Sequence, residues 1–175
     1  MNTEATPADL PQPGEGECWS VVHCRPRCEK KVAEFCDSKH LSRYLPLMNK
    51  SHRYGKRVRS YTTPVFAGYL SALTNTSGRA LLRQYQRVAN VLEVSDQETL
   101  VAQLQQIKTA LDQNEAFELF PHLAVGTKVK VQAGPLKGVE GFVVRLKNKT
   151  RIVLNIDFIQ QALAVEVEAE WLLPV

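Results

Sequence analysis

The chain has 175 residues, enough for one large domain or two small ones, and its 44% hydrophobic and 23% charged content is ordinary for a globular protein. No run approaches the roughly 18 apolar residues that span a bilayer, and residues 1–17 lack the basic start and apolar core of a signal peptide, so a cytoplasmic chain is expected. The net charge of +4 is unevenly spread, at −4 over residues 1–17, +11 over 18–90 and −3 over 91–175. A concentrated positive field points to a polyanionic partner, nucleic acid first, against the plainer alternative of a solvated, solubilising face.

Residues 1–16 hold five Pro or Gly (Pro7, Pro11, Pro13, Gly14, Gly16) and few apolar groups, a composition expected to stay a disordered acidic tail. Trp19-Ser-Val-Val-His23 is a short apolar run and is expected to be the first strand. Pro26 then turns the chain. Cys28, Val32, Phe35 and Cys36 recur at helical spacing opposite Glu29, Lys30, Lys31 and Glu34, which predicts a surface helix from about Arg27 to Lys39. Leu41 to Met48 is expected to return as a second strand.

The next segment, residues 50–59, carries five Lys or Arg in ten residues, with Gly55 at a plausible tight turn. It is expected to be the tip of a hairpin whose Lys50, Arg53, Lys56, Arg57 and Arg59 contact a phosphate backbone, with Tyr54 interleaved. The alternative is a solvated loop. Pro64-Val-Phe-Ala-Gly-Tyr-Leu70 follows, within a strand expected over 63–72. Its Gly68 sits where a strand is weakened and implies a bulge or a close approach.

Residues 74–78 are expected to be a loop, Arg79 to Arg87 a helix with Leu81, Leu82 and Tyr85 inward, and Val88 to Val94 a strand. Ser95 and Glu98 fit a capping box, behind which Leu100, Leu104, Ile107 and Leu111 mark an amphipathic helix to about Asp112. The order β-α-β-β-α-β-α describes an antiparallel sheet covered by helices, an α+β domain. Residues 113–122 are expected to be a linker. From Leu123 the pattern becomes short strands with turns: Val125, Val129 and Val131, then Phe142 to Arg145, Arg151 to Ile156 and Val165 to Val167. Such closely spaced strands predict a small barrel over 123–175. Asp157 to Leu163 could begin a helix, but Val165 and Val167 alternating with glutamates favour strand.

Chemistry is sparse. Cys18, Cys24, Cys28 and Cys36, even with His23 and His40, contain no C-x-x-C pair, so reduced core thiols are favoured over zinc. Walker, G-x-G-x-x-G, H-E-x-x-H and G-x-S-x-G motifs do not occur. Glu166, Glu168 and Glu170 recur at period two and are expected to be a solvated strand face rather than an acid–base pair. A binding protein without catalytic residues, metal or cofactor is expected.

Three blocks, in order, carry a family resemblance. The stretch from Trp19 to Glu34, an aromatic, a polar turn and a helix-opening Glu, is similar to the opening strand and helix of the NusG transcription factors. Pro64-Val-Phe-Ala-Gly-Tyr-Leu70 resembles that family's P-L-F-P-G-Y-V strand. Residues 126–141, with Gly134, Pro135, Gly138 and Gly141, resemble the KOW motif. The match covers about residues 18–175.

The resemblance implies an NGN domain at 17–112 joined by a linker to an SH3-like KOW barrel at 123–175. It implies a monomeric elongation and antitermination factor whose NGN domain binds the clamp helices of RNA polymerase, near the DNA of the transcription bubble. The KOW domain would recruit a second partner, such as Rho or a ribosomal small-subunit protein. Carried over by position, Phe66, Tyr69 and Tyr44 lie in or beside the polymerase-binding patch, and a core role for Phe66 stays open. Ala67, in place of the family's usual Pro, and Ser71, in place of a large apolar residue, point to a specialised paralog of the RfaH or UpxY kind. The alternative function is a ribosome-associated or RNA-binding KOW protein, favoured by the basic turn at 145–151.

Overall fold

The computed structural model describes residues 9–55, 57–113, 117–121, 126–146 and 149–175. The chain divides into two compact units, one over 11–97 and one that combines the segment up to Leu10 with 98–175.

In the unit over 11–97, strand β1 (Cys18–Cys24) is the centre of organisation. It is followed by helix α1 (Glu29–Ser38), a two-residue strand β2 (Arg43–Tyr44), and the long strands β3 (Leu47–Tyr54) and β4 (Arg57–Pro64). Strand β5 (Tyr69–Thr74), helix α2 (Thr76–Gln84) and strand β6 (Val88–Glu93) complete it. Four strands form an antiparallel sheet in the order β2-β5-β1-β6, while β3 and β4 pair with each other and, among the described residues, with no other strand. β1 lies between two partners, so its backbone is hydrogen-bonded along both edges, and most of its side chains are buried on either face. Val22, Leu70, Ala72 and Val91 on one face meet Val32, Ala33 and Cys36 of α1 and Leu82 of α2 in one core.

Several expectations change here. Residues 41–48 are not one strand, because Leu45 turns into the core and Pro46 separates β2 from β3. The strand expected over 63–72 is also two strands. β4 ends at Pro64, a turn occupies 65–68, and β5 begins at Tyr69. The loop expected at 74–78 is the end of β5 and the start of α2. Asn75 caps that helix, its side chain accepting the Gly78 N–H at 2.9 Å. Of the residues expected inward, Leu82 is buried and Leu81 is exposed. Tyr85 stacks on Phe35 with ring centroids 4.1 Å apart.

Helix α3 (Gln97–Asp112) buries Leu100, Leu104, Ile107 and Ala110, so the apolar stripe ends on Ala110 rather than on the half-buried Leu111. Leu10, grouped by composition with an acidic tail, is 6% exposed and donates its N–H to Gln105 Oε1 at 3.1 Å. Within residues 113–122, Phe117–Pro121 forms strand β7. Strands β8 (Thr127–Val131), β9 (Glu140–Leu146), β10 (Lys149–Ile156), β11 (Gln161–Glu166) and β12 (Leu172–Pro174) follow. They build a six-stranded antiparallel sheet in the order β12-β8-β9-β10-β11-β7. The helix considered over 157–163 is a single 3-10 turn, Asp157–Ile159, before β11. Glu166 closes β11 and Glu170 lies in a second 3-10 turn, so the three glutamates do not share one strand face.

Candidate functional site

The turn between β4 and β5 is built from both ends. The Val65 N–H donates to the Pro46 carbonyl at 2.8 Å, and Val65 and Phe66 point into the core. Gly68 has φ +85°, in the left-handed region that glycine enters at no steric cost. Its N–H donates to Glu29 Oε1 at 2.6 Å and its carbonyl accepts the Cys24 N–H at 2.7 Å. Glu29 opens α1 and is only 6% exposed, so this bond ties helix, turn and central strand together. That close approach is what the glycine in the sequence announces.

Tyr69 and Tyr44 come out on one face of the sheet. Tyr44 pairs with Ser71, two residues beyond Tyr69, and strand alternation sends all three the same way. His23 pairs with Tyr69, and the two rings stack at 4.9 Å with an 18° interplanar angle. Tyr69, His23 and Tyr44 are half-buried and Ser71 is buried. Phe66 is different. At 2% exposure its side chain belongs to the core, because the turn tucks it under rather than leaving it on a strand face. Arg43, beside Tyr44, is fixed by two bonds to Asp37 (3.0 and 2.8 Å), and the Arg43 hydrogen bond holds the Asp37 carboxyl below the usual carboxylate range.

The β3–β4 hairpin spans Leu47 to Pro64, longer than the tip expected over 50–59. Tyr54 pairs with Arg57, leaving a two-residue turn whose first member, Gly55, has φ +59°, as hairpin turns favour. Directly paired residues share a face. One face carries Lys50 opposite Tyr61, and His52 opposite Arg59, with Arg57 next in line. The other carries Asn49 opposite Thr62, Ser51 opposite Ser60, and Arg53 opposite Val58. The expected phosphate contacts therefore separate. Lys50, Arg57 and Arg59 share the basic face; Arg53 lies on the other and donates to the Gly55 carbonyl at 3.1 Å. Lys56 lies outside the described residues. Lys30 of α1 anchors the hairpin base, its Nζ donating to Thr62 O and Oγ1 at 2.6 and 2.8 Å.

Of the four expected motif residues, Gly134, Pro135 and Gly138 lie in one turn and Gly141 lies in β9. Residues 134–138 turn between β8 and β9, closed by the Gly138 N–H to the Val131 carbonyl at 2.8 Å. Pro135 lies within that turn. A Cβ on Gly134 (φ +78°) would lie 2.3 Å from the Trp171 ring, and one on Gly141 would lie 2.6 Å from the Val153 carbonyl oxygen. On β8 and β9, Lys130 and Lys128 converge on Glu140, whose carboxyl they hold below its ordinary range, Lys130 first.

The cysteines are free thiols, with Cys24 and Cys36 buried. Burial pushes the Cys24 thiol up to about 12 and the Cys36 thiol to about 11. Among the described residues no group of three His, Cys, Asp or Glu side chains is arranged to hold a metal ion.

Against models of protein families, residues 17–111, more than half of the chain, match the family described as "Transcription termination factor nusG". The chain belongs to the NusG family. Its NGN sheet and helices are those of the 11–97 unit with α3, and the β-rich region that follows is consistent with a KOW module. Among solved structures the chain is similar to that reported as "Domain interaction in Thermotoga maritima NusG", at 15% identity and a TM-score of 0.51, with 91% of this chain and 97% of that one covered. A second similar structure is the MjSpt4:Spt5 complex in conformation B, at 18% identity and a TM-score of 0.31, with 90% and 96% covered. No curated protein matches.

The NusG family is one of non-catalytic transcription factors whose members interact with RNA polymerase. Among the described residues no helix is long and apolar enough to cross a membrane. Two contributors to the site were not singled out by sequence reasoning. Sequence reasoning gives His23 as the end of the first strand and a candidate metal ligand, and Glu29 as the residue that opens the helix, with no site role for either. Strand register gives the first its place beside Tyr69. For the second, an acidic residue at the start of a helix, near a glycine in an apolar run, was the available signal.

Proposed function

We propose that this NusG-family chain is an elongation and antitermination factor that docks on the clamp helices of RNA polymerase through the sheet face bearing Tyr69 and Tyr44. The observation that carries this reading is the half-exposed Tyr69, stacked on His23 at 4.9 Å and set at the start of β5 by a rigid turn. An aromatic ring held in one orientation loses little freedom on binding, and such rings dominate interface energetics. Phe66 contributes from beneath, fixing the turn. Lys50, Arg57 and Arg59 of the hairpin contact phosphates of DNA near the transcription bubble, and Arg53 braces the hairpin turn. The KOW module recruits a second partner, Rho or a ribosomal small-subunit protein.

Ala67 and Ser71, departures from the usual family residues, support a specialised paralog of the RfaH or UpxY kind, acting as a cytoplasmic monomer on particular operons. Tyr69→Ala tests the docking face. Loss of about 2 kcal/mol, roughly thirtyfold in affinity, is expected in a quantitative polymerase pull-down, with an unchanged circular-dichroism spectrum. Wild-type affinity in the variant would refute this face as the docking site.

A further inference from the structure

We propose that Lys30, in the first turn of α1, is a positioning residue that fixes the direction of the β3–β4 hairpin relative to the Tyr69 and Tyr44 face, so that hairpin and face engage one elongation complex together. This rests on the docking reading given above and adds to it a residue that acts without touching either partner.

The hairpin leaves the sheet between the two tyrosines. Leu45 and Pro46 join Tyr44 to β3, and the turn from Val65 to Gly68 joins β4 to Tyr69. Its neck is closed by the Val65 N–H to the Pro46 carbonyl at 2.8 Å, with Leu45, Val65 and Phe66 buried. Above the neck its side chains stand exposed, from Asn49 to Arg53 and from Arg57 to Thr62. A two-stranded hairpin without a packed face has little to fix its direction. Two consecutive residues of α1 supply a hold. Glu29 is buried and accepts the Gly68 N–H at 2.6 Å, which fixes the turn that leads into Tyr69. Lys30 is exposed and donates to Thr62 O and Oγ1 at 2.6 and 2.8 Å. Successive helical residues point about 100° apart, so one turn of helix grips the docking-face turn with one side chain and the hairpin with the next.

An ammonium group suits this role. It carries donors and no acceptor, and Thr62 offers it a carbonyl and a hydroxyl oxygen side by side. No Asp or Glu occurs between residues 47 and 64, so the hold is made to neutral oxygens and is not the kind of exposed ion pair that salt screens away. Hydrogen bonds in water contribute little to folding stability, so what Lys30 changes is direction rather than the fold. Direction matters when two surfaces of one body bind together. Once the face has docked, a hairpin already aligned meets its site at high effective concentration. A hairpin free to swing spreads that concentration over many directions, which weakens the second contact and leaves the first untouched.

The test compares the full chain with Lys30→Met, which keeps the aliphatic stem and removes the donors, and with Lys30→Arg, which restores donors. Affinity is measured for core RNA polymerase free of nucleic acid and for an elongation complex assembled on a synthetic transcription bubble. Lys30→Met is expected to bind core polymerase like wild type and the elongation complex about fivefold more weakly, with Lys30→Arg recovering most of the loss. Backbone ¹⁵N order parameters of Lys30→Met should fall in β3 and β4 and stay unchanged in β1 and β5. Equal weakening towards core polymerase and elongation complex, wild-type affinity for both, or unchanged order parameters would each overturn the assignment. Tyr69→Ala is measured beside them. If it binds core polymerase like wild type, the docking reading fails on its own, because the order parameters decide what Lys30 holds without any polymerase present.

Discussion

Arg53 and Arg59 are equally charged and sit six residues apart in the same hairpin, yet register gives them different work. Arg59 stands opposite His52 on the basic face; Arg53 stands opposite Val58 and donates to the Gly55 carbonyl. Removing Arg57 or Arg59 should therefore flatten the salt dependence of binding to elongation complexes by about one unit of slope per lost phosphate contact. An unchanged slope in the double variant Arg57→Gln/Arg59→Gln would exclude this face from DNA. The cysteines separate in the same residue-by-residue way. Cys24 and Cys36 are buried, with thiols pushed up to about 12 and 11, so at neutral pH almost no reactive thiolate exists. Cys18 and Cys28 are half-buried. Brief iodoacetamide treatment at neutral pH should alkylate only Cys18 and Cys28 in the native chain and all four after denaturation, read by mass spectrometry of tryptic peptides. Native labelling of Cys24 would show that β1 opens more readily than its packing implies.

At the scale of elements, the bond between Glu29 and Gly68 joins three of them. Glu29→Ala would leave the partly buried Gly68 N–H without its acceptor, at a cost of about 1 kcal/mol, and would loosen the turn that presents Tyr69. Urea denaturation should show that loss, with Glu29→Gln, which keeps an acceptor, losing less. Equal losses in both variants would assign the effect to the charge instead. The same turn explains what was legible in the sequence. The core strands β1 and β6 and helix α1 announced themselves, since burial on both faces or along one stripe writes a strong pattern. Val65 and Phe66 misled, because a bulky apolar pair looks the same whether it is buried from a strand or from a turn. β3 and β4 were legible only as a basic tip, since strands with both faces in water carry no apolar alternation. Residues 74–78 looked like a loop because Asn, Thr, Ser and Gly favour turns, but an Asn that caps a helix uses the same chemistry. At the site, Tyr69 and the cations were legible as residues; which faces they share was not, because register is a property of pairing.

On the scale of the whole molecule, the excess of positive charge over 18–90 falls within the unit that carries the tyrosine face and the hairpin. A factor specialised as proposed should affect few genes. Deleting its gene is expected to lower the promoter-distal transcripts of one or a few long operons several-fold in RNA sequencing, leaving most others unchanged. A uniform change across operons would mark a general factor. The hairpin adds a mechanical consequence. β3 and β4 each hold eight residues, so the arm reaches about 27 Å, and its base is held to α1 by the side chain of Lys30. Such an arm is a lever with its pivot at Thr62. A tilt of about 10° at the pivot would sweep the Gly55 tip, seven residues away, through roughly 4 Å. The ammonium group of one lysine thus sets the aim of a tip far from it.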